Sequence, residues 1–526
     1  MAGGEVSTRA GAFDEALLFD GVPTETISVT VDGKPLKVHK YAVTYVANPV
    51  KIASSHRGPA TDPTAWQKMI IYVPETAAND QETAIIFAVG NSGWLSSSVS
   101  DAIEAGKNYV SNSDTDRVGA ILAAGYVFCN VGTRSRGLVA VNGTYPGKAP
   151  AVVVDAKAAI RYLKLNDAAI PGSSEKIVIT GTSGGGGLSV AVAASGNSPD
   201  YYPYLLDIGA AGIDAFGNST ISDAVFATIA YCPITDLDHV DYAYEWQYSA
   251  MRLRGDYNDG QNPPTAATMA LSVELAAQYP AYLASLGLKL EDGTALNAAT
   301  MPGAIVALVK ADVEKKLKAG VNVPDLGEDW SFQTGNTMLV VKNDWLDIDK
   351  GAKTVVSINY DKYLEFVCKT AKLKTAPSFD NYGTPHLYQR NESNLSGNLA
   401  QEYSHWIKWS WENDNIKGNG VGLDDTGLSF EAYMASPAGK AVVQQMKMIN
   451  PMPYLISDEG VSAPYWYVRH GMRDRDTSFN VPVALYYALY NDPTIKDVNF
   501  AIAYMQGHGG NYDVREAYAW LAGILD

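Results

Sequence analysis

A chain of 526 residues, 47% of them hydrophobic and 18% charged, is globular rather than disordered. It is also longer than a single hydrophobic core usually serves, which predicts a core domain with a large insertion. The formal net charge of −17 argues against nucleic acid or an anionic membrane surface as a partner.

The cysteines Cys129, Cys232 and Cys368 lie far apart with no CxxC pair, so neither a zinc site nor a disulfide framework is indicated. No run is long enough to span a membrane, and the opening MAGGEVSTRAGAFDEALLFDG does not read as a signal peptide. The compartment stays open, with a mature secreted or periplasmic chain slightly favoured over a cytoplasmic one. The 32 tyrosines and 10 tryptophans suit a surface that stacks on sugars or aromatic rings, although such rings more often fill cores.

Residues 26–31 and 36–46 alternate polar and apolar side chains around Asp32-Gly33, which predicts an antiparallel hairpin. Residues 68–73 and 83–89 predict further strands, the second running straight into Gly90-Asn91-Ser92-Gly93-Trp94. Residues 125–131 predict a buried strand that ends in the turn GTRSRG, and 150–166 carry helical periodicity. Residues 176–195, KIVITGTSGGGGLSVAVAAS, join a β-branched run to small helix formers through a glycine-flanked Ser183. A strand over 224–231 follows. Strands alternating with helices predict a mostly parallel sheet with helices on both faces, with the antiparallel start as its edge.

The alternation stops after Cys232-Pro233. Residues 235–448 show helical segments at 266–286, 302–319 and 361–370 between loops, and no buried strand pattern. They read as an inserted lid domain, mostly helix and loop, between a first part of the core (1–234) and a second part (449–526). The second part predicts a strand at 463–469, a helix at 478–490, a strand at 498–504 and a closing helix at 514–525.

Gly181-Thr182-Ser183-Gly184-Gly185 is G-x-S-x-G between a predicted strand and a predicted helix, the context in which this motif presents a nucleophile. The bland alternative is a glycine-rich loop before an ordinary helix. A serine nucleophile needs a base and an orienting carboxylate, and in α/β-hydrolases these follow in the order Ser, acid, His. Of seven histidines (His39, His56, His239, His386, His405, His470 and His508), only His508 follows the last strand in a glycine loop. His470, at the end of the preceding strand, reads as a structural hydrogen-bond partner of the acid loop. Asp474 and Asp476 compete as the acid; the H-G-x-x-D spacing selects Asp474. Asp476 is then a second carboxylate on that loop, or a charge at a helix N-terminus. The oxyanion hole needs two N–H donors, for which Gly184 and Gly93 are the candidates; Gly93 also reads as a plain turn glycine.

GTSGGGGLS (181–189), IAYCPITDLDHVDYAYEW (229–246), KMINPMPYLI (447–456) and RHGMRDRDTS (469–478) together resemble the bacterial tannases and related feruloyl esterases. The resemblance runs over most of 60–526 and is weakest inside the lid. It implies an α/β-hydrolase in which Ser183 is the nucleophile, Asp474 the acid and His508 the base, with Gly93 and Gly184 forming the oxyanion hole. It also implies that Asp476 hydrogen-bonds a phenolic hydroxyl, and that a Lys and a Glu from the lid meet the others. Lys408 and Glu412 of HWIKWSWEN are candidates for these two, or simply a solvated helix face. The cysteines that fungal tannases place beside their Ser and His, where they form a disulfide, are replaced here by Thr182, Gly507 and Gly509.

The implied activity is hydrolysis of galloyl or feruloyl esters of sugars or small alcohols, with no metal or organic cofactor; the oligomeric state stays open. Two other readings are a prolyl-oligopeptidase-like serine peptidase and a non-catalytic binding protein on the hydrolase fold. The first lacks the N-terminal propeller repeat of its family, and the second usually loses its Ser or His.

Overall fold

The computed structural model describes residues 11–255, 257–258, 265–334, 337–381 and 392–526. His386 lies outside the described residues. Ten strands form the central sheet: β1 (Glu25–Val31), β2 (Lys34–Thr44), β3 (Lys68–Pro74), β4 (Ile85–Val89), β5 (Asn108–Tyr109), β6 (Val127–Val131), β7 (Ile177–Thr182), β8 (Ala227–Tyr231), β9 (Tyr465–Gly471) and β10 (Asp497–Ala503). Their order is β10-β9-β8-β7-β4-β6-β3-β2-β1-β5. All pairs from β6 to β10 are parallel, while β1, β2 and β3 make the antiparallel edge. The edge hairpin turns at Asp32 (φ 50°) and Gly33 (φ 75°), the two left-handed residues that a tight hairpin with the natural strand twist requires.

Side chains alternate across the sheet. Ile85, Phe87 and Val89 of β4 join one apolar cluster, and Ile86 and Ala88 join the other. The first cluster packs the helices Ala151–Leu165 and Gly184–Ala194; the second packs Arg117–Ala123 and Val514–Leu525. Both faces are therefore covered, as a mostly parallel sheet requires.

The sheet also positions the site. β4 sits between β6 and β7 with Thr180 opposite Ala88, so the turns that leave β4 and β7 lie side by side. This is the switch point at which open parallel sheets place their ligands. Further along, Thr182 is opposite Tyr231, Tyr231 opposite Arg469, and Gly471 opposite Ala503. The loops after β7, β9 and β10 consequently open on the same edge.

The chain leaves the sheet at Tyr231 and returns at Tyr465. The intervening residues continue the first apolar cluster, with Tyr363, Phe366 and Trp330 among its members. The helix expected over 266–286 is two helices, Ala266–Ala276 and Tyr279–Ser285. Pro280 lies in the first turn of the second helix, where its missing N–H is tolerated, and it cannot extend the first. The insertion also holds two hairpins, Asp329–Thr334 with Thr337–Lys342 and Leu346–Asp349 with Thr354–Ile358. Their strands are only four to six residues long, and two of them, Thr337–Lys342 and Thr354–Ile358, are largely exposed despite the apolar run Met338-Leu339-Val340-Val341, so they do not read as buried sheet strands. Among the described residues no helix is long and apolar enough to cross a membrane.

Candidate active site

Ser183 stands between β7 and the helix Gly184–Ala194 with φ 62° and ψ −123°, a strained conformation for a residue with a side chain. Its N–H donates to the Tyr231 carbonyl at 2.9 Å, anchoring the turn to β8. The flanking glycines are required by proximity. A Cβ on Gly181 would lie 2.3 Å from the Gly185 carbonyl oxygen, and one on Gly185 would lie 2.0 Å from that of Gly90.

Three side chains from three loops meet here. His508 Nε2 is 2.8 Å from Ser183 Oγ, and His508 Nδ1 is 2.8 Å from Asp474 Oδ2. Asp474 is buried, and its other oxygen accepts the Asp476 N–H at 2.8 Å. Burial pushes the Asp474 carboxyl up, but the His470 and His508 rings and these hydrogen bonds outweigh it and hold it well below the usual carboxylate range. His508 is itself pulled down by burial, and Asp474 with Asp476 raises it above the ordinary histidine value.

His470 sits behind the acid, its Nδ1 3.7 Å from Asp474 Oδ2. The expected hydrogen bond to the acid loop is not formed: neither ring nitrogen has a partner among the described residues. Burial lowers its pKa, and its ring meets Phe479 edge-on at 5.3 Å. Cys129, Cys232 and Cys368 are free and buried. The Cys232 thiol lies 3.0 Å from the Gly509 carbonyl, next to His508.

Gly184, the first helical residue, has no intrahelical acceptor for its N–H. It faces the turn after β4 so closely that a Cβ would lie 2.2 Å from Trp94 N and 2.3 Å from the Asn91 carbonyl. Gly93 adopts φ 58° in that turn. The GTRSRG turn holds it in place, a role the sequence did not reveal: Arg136 Nε donates to the Gly93 carbonyl at 2.8 Å and Ser135 Oγ to the Trp94 carbonyl at 2.5 Å.

Asp476 adjoins His508, Oδ2 to Nδ1 3.7 Å, and pairs with Arg475 at 2.8 Å. The following helix starts at Asn480 with Phe479 as its N-cap, so Asp476 lies four residues before its first turn, outside the first turn in which a charge acts on the helix dipole. Lys408 and Glu412 are not hydrogen-bonded to any of these groups. Lys408 pairs with Glu431 at 2.8 Å and Glu412 at 3.8 Å on an exposed helix face.

The insertion instead offers Glu392 and Lys374, which sequence reasoning missed. Glu392 is buried, 3.7 Å from Arg136, and burial raises its pKa; Arg136, Lys374 and Asp476 all lie within electrostatic reach of it. Lys374 is likewise within electrostatic reach of His508. Lys374 lies in a loop and Glu392 opens the short 3-10 helix Glu392–Leu395; buried carboxylates hold the segments around both. Asp241 accepts the N–H groups of Ser378, Phe379 and Asp380 at 2.6, 2.9 and 3.0 Å. Asp380 in turn accepts the N–H groups of Trp406 and Ile407, the Ser393 hydroxyl at 2.9 Å and His405 Nδ1 at 2.6 Å.

The family model BD-FAE matches residues 69–269. The tannase of Fusobacterium nucleatum is similar to this chain with 30% identity and a TM-score of 0.73, covering 97% of this chain and 99% of that one. The native tannin acyl hydrolase of Lactobacillus plantarum is similar with 27% identity, a TM-score of 0.73 and the same coverage. A tannin acyl hydrolase solved in complex with ethyl gallate is 26% identical with a TM-score of 0.74, again over 97% of this chain and 99% of its own. No curated protein sequence matches the chain. With a relative of 30% identity matched over essentially its whole length, on a sheet whose loops converge as described, the chain belongs to the bacterial tannases, carboxylic ester hydrolases of the α/β-hydrolase fold.

Proposed function

We propose that this protein hydrolyses esters of polyhydroxylated phenolic acids, galloyl esters foremost, through an acyl-enzyme on Ser183. The unbroken chain from Asp474 through His508 to Ser183, with both contacts at 2.8 Å, is the observation that carries the reading. Ser183 Oγ attacks the ester carbonyl as its proton passes to His508 Nε2, and the same imidazolium then protonates the departing alkoxide. Water repeats the sequence on the acyl-enzyme, releasing the free acid and restoring Ser183. Asp474 stays ionised, fixes the Nδ1–H tautomer and stabilises the imidazolium. The N–H groups of Gly93 and Gly184 hold the tetrahedral oxyanion, each worth about 3 kcal/mol in the transition state.

The insertion serves as a lid that completes the acyl pocket. Asp476, Glu392 and Lys374 supply two acceptors and one donor for ring hydroxyls. A methoxyl cannot donate, so a feruloyl ring leaves one acceptor unpaired, a difference of about 1–3 kcal/mol. The intact triad speaks against a non-catalytic binding protein, and similarity to a tannase over 97% of this chain and 99% of that one speaks against the propeller-bearing peptidases.

Labelling with a fluorophosphonate tests the nucleophile. One equivalent of label on Ser183, prevented by His508→Ala, is expected; labelling elsewhere, or none, contradicts the assignment.

A further inference from the structure

A cavity of about 390 Å³ separates the core from the insertion, with Ser54, His56, Leu95, Leu138, Tyr145 and Lys148 among its walls. It adjoins the catalytic cleft: Leu95 follows the Gly93-Trp94 turn, and Arg136, which also lines the cavity, holds the Gly93 carbonyl. Lys148 is 8% exposed. Its ammonium donates to the Asn394 carbonyl at 2.7 Å and to the Glu402 carbonyl, and it forms no ion pair among the described residues. Two of its three N–H donors are thus used.

A buried ammonium without a counter-charge is unfavourable, and burial pulls this one down to about 7. Joining core to insertion does not require the charge. Tyr145 N–H donates to the Leu399 carbonyl at 2.9 Å and Ala149 N–H to that of Leu395 at 2.7 Å, linking the same two segments. Glu402, an exposed residue that also lines the cavity, acts on Lys148 through its charge but forms no ion pair with it among the described residues, and burial outweighs it. The Glu392 carboxylate is engaged by Arg136.

We propose that this cavity is a second binding site for a small ring carboxylate, its anion paired with Lys148 and its ring lying on Leu95, Leu138 and Tyr145. The carboxylate has two sources: the alcohol half of an ester substrate, or a free acid.

Calorimetric titration of the full-length protein with cyclohexanecarboxylate and with cyclohexanecarboxamide, at about pH 6 where Lys148 is charged, tests the proposal. The acid should bind at one equivalent, about tenfold or more tighter than the amide, and Lys148→Met should erase that preference. Because Lys148 also holds carbonyls of the insertion, Val139→Trp, which fills the cavity from another wall, serves as the second variant. It should abolish binding and leave methyl gallate hydrolysis unchanged. Equal binding of acid and amide, acid binding that survives Val139→Trp, or acid binding lost when Ser183 carries a fluorophosphonate would each overturn the proposal.

A kinetic arm, which like the methyl gallate control rests on the proposed esterase function whereas the binding titrations do not, separates the two sources. It compares kcat/KM for the gallate ester of 3-hydroxycyclohexanecarboxylic acid with that for cyclohexyl gallate. A preference for the acid-bearing ester that Lys148→Met removes supports the site and assigns the carboxylate to the alcohol half. Equal rates alongside retained binding of the free acid support the site with a free acid as its ligand.

Discussion

Asp476→Asn separates two effects that the geometry ascribes to one carboxylate. Its Oδ2 lies 3.7 Å from His508 Nδ1. At that distance unit charges attract by about 1 kcal/mol in a water-like dielectric and about 4 kcal/mol at an effective dielectric of ~20. Asp476 is 30% exposed and already paired with Arg475 at 2.8 Å, so the lower figure applies, equivalent to about 0.7 of a pH unit. His508 acts as a base only when neutral, and its pKa is raised above 6.5. kcat/KM should therefore rise with pH along a limb above 6.5, and Asp476→Asn should move that limb down by about 0.7 of a unit. The assay is kcat/KM against pH for methyl gallate and methyl benzoate. Because this profile reports the free enzyme, the limb should shift equally with both substrates. Weakened binding should appear with gallate alone. A limb that stays in place or moves up would refute the electrostatic argument. A KM loss equal for both esters would refute the contact with a phenolic hydroxyl.

Glu392→Gln and Lys374→Met should each raise KM for methyl gallate about tenfold, with kcat and methyl benzoate kinetics little altered, as steady-state kinetics will reveal. Gly184→Ala puts a Cβ 2.2 Å from Trp94 N and 2.3 Å from the Asn91 carbonyl, backbone atoms that cannot rotate away. It should lower kcat about 100-fold by displacing the oxyanion turn, with the fold intact by circular dichroism. His405, buried between Asp380 and Asp414, is raised to about 9. The stability it contributes is fully present below about 6.5 and is lost as pH rises through about 9. His405→Asn should cost about 3 kcal/mol near neutrality in urea denaturation and flatten the decline over that pH window; an unchanged decline would contradict the pairing.

The core was legible because its signals are local. β4 is an unbroken apolar run and β7 opens as a β-branched one, each ending in a glycine turn, and glycines at 181, 184 and 185 make room for the strained Ser183. Asp474 and His508 were legible because each lies just past a strand whose pattern is plain. The insertion was less so. Lys374 sits in a loop and Glu392 in a single 3-10 turn, neither with periodicity, and what holds those segments is a set of long-range carboxylate contacts. Asp241, within 229–246, reaches residues 378–380, a link no spacing rule contains. Lys408 and Glu412 drew attention because charges four apart on a helix look purposeful, yet that spacing is also what places a surface ion pair on one face. GTRSRG reads as a turn from its sequence; that Arg136 and Ser135 hold the Gly93-Trp94 carbonyls depends on β6 and β4 being neighbours.

The most direct test of the account is acid release from methyl gallate and methyl ferulate by the purified protein, with Ser183→Ala as the control. Gallate should be released, ferulate more slowly, and neither by the variant. If neither ester is cleaved while Ser183 still reacts with a fluorophosphonate, the nucleophile stands and the phenolic substrate is contradicted; ferulate preferred over gallate would contradict the roles given to Asp476, Glu392 and Lys374.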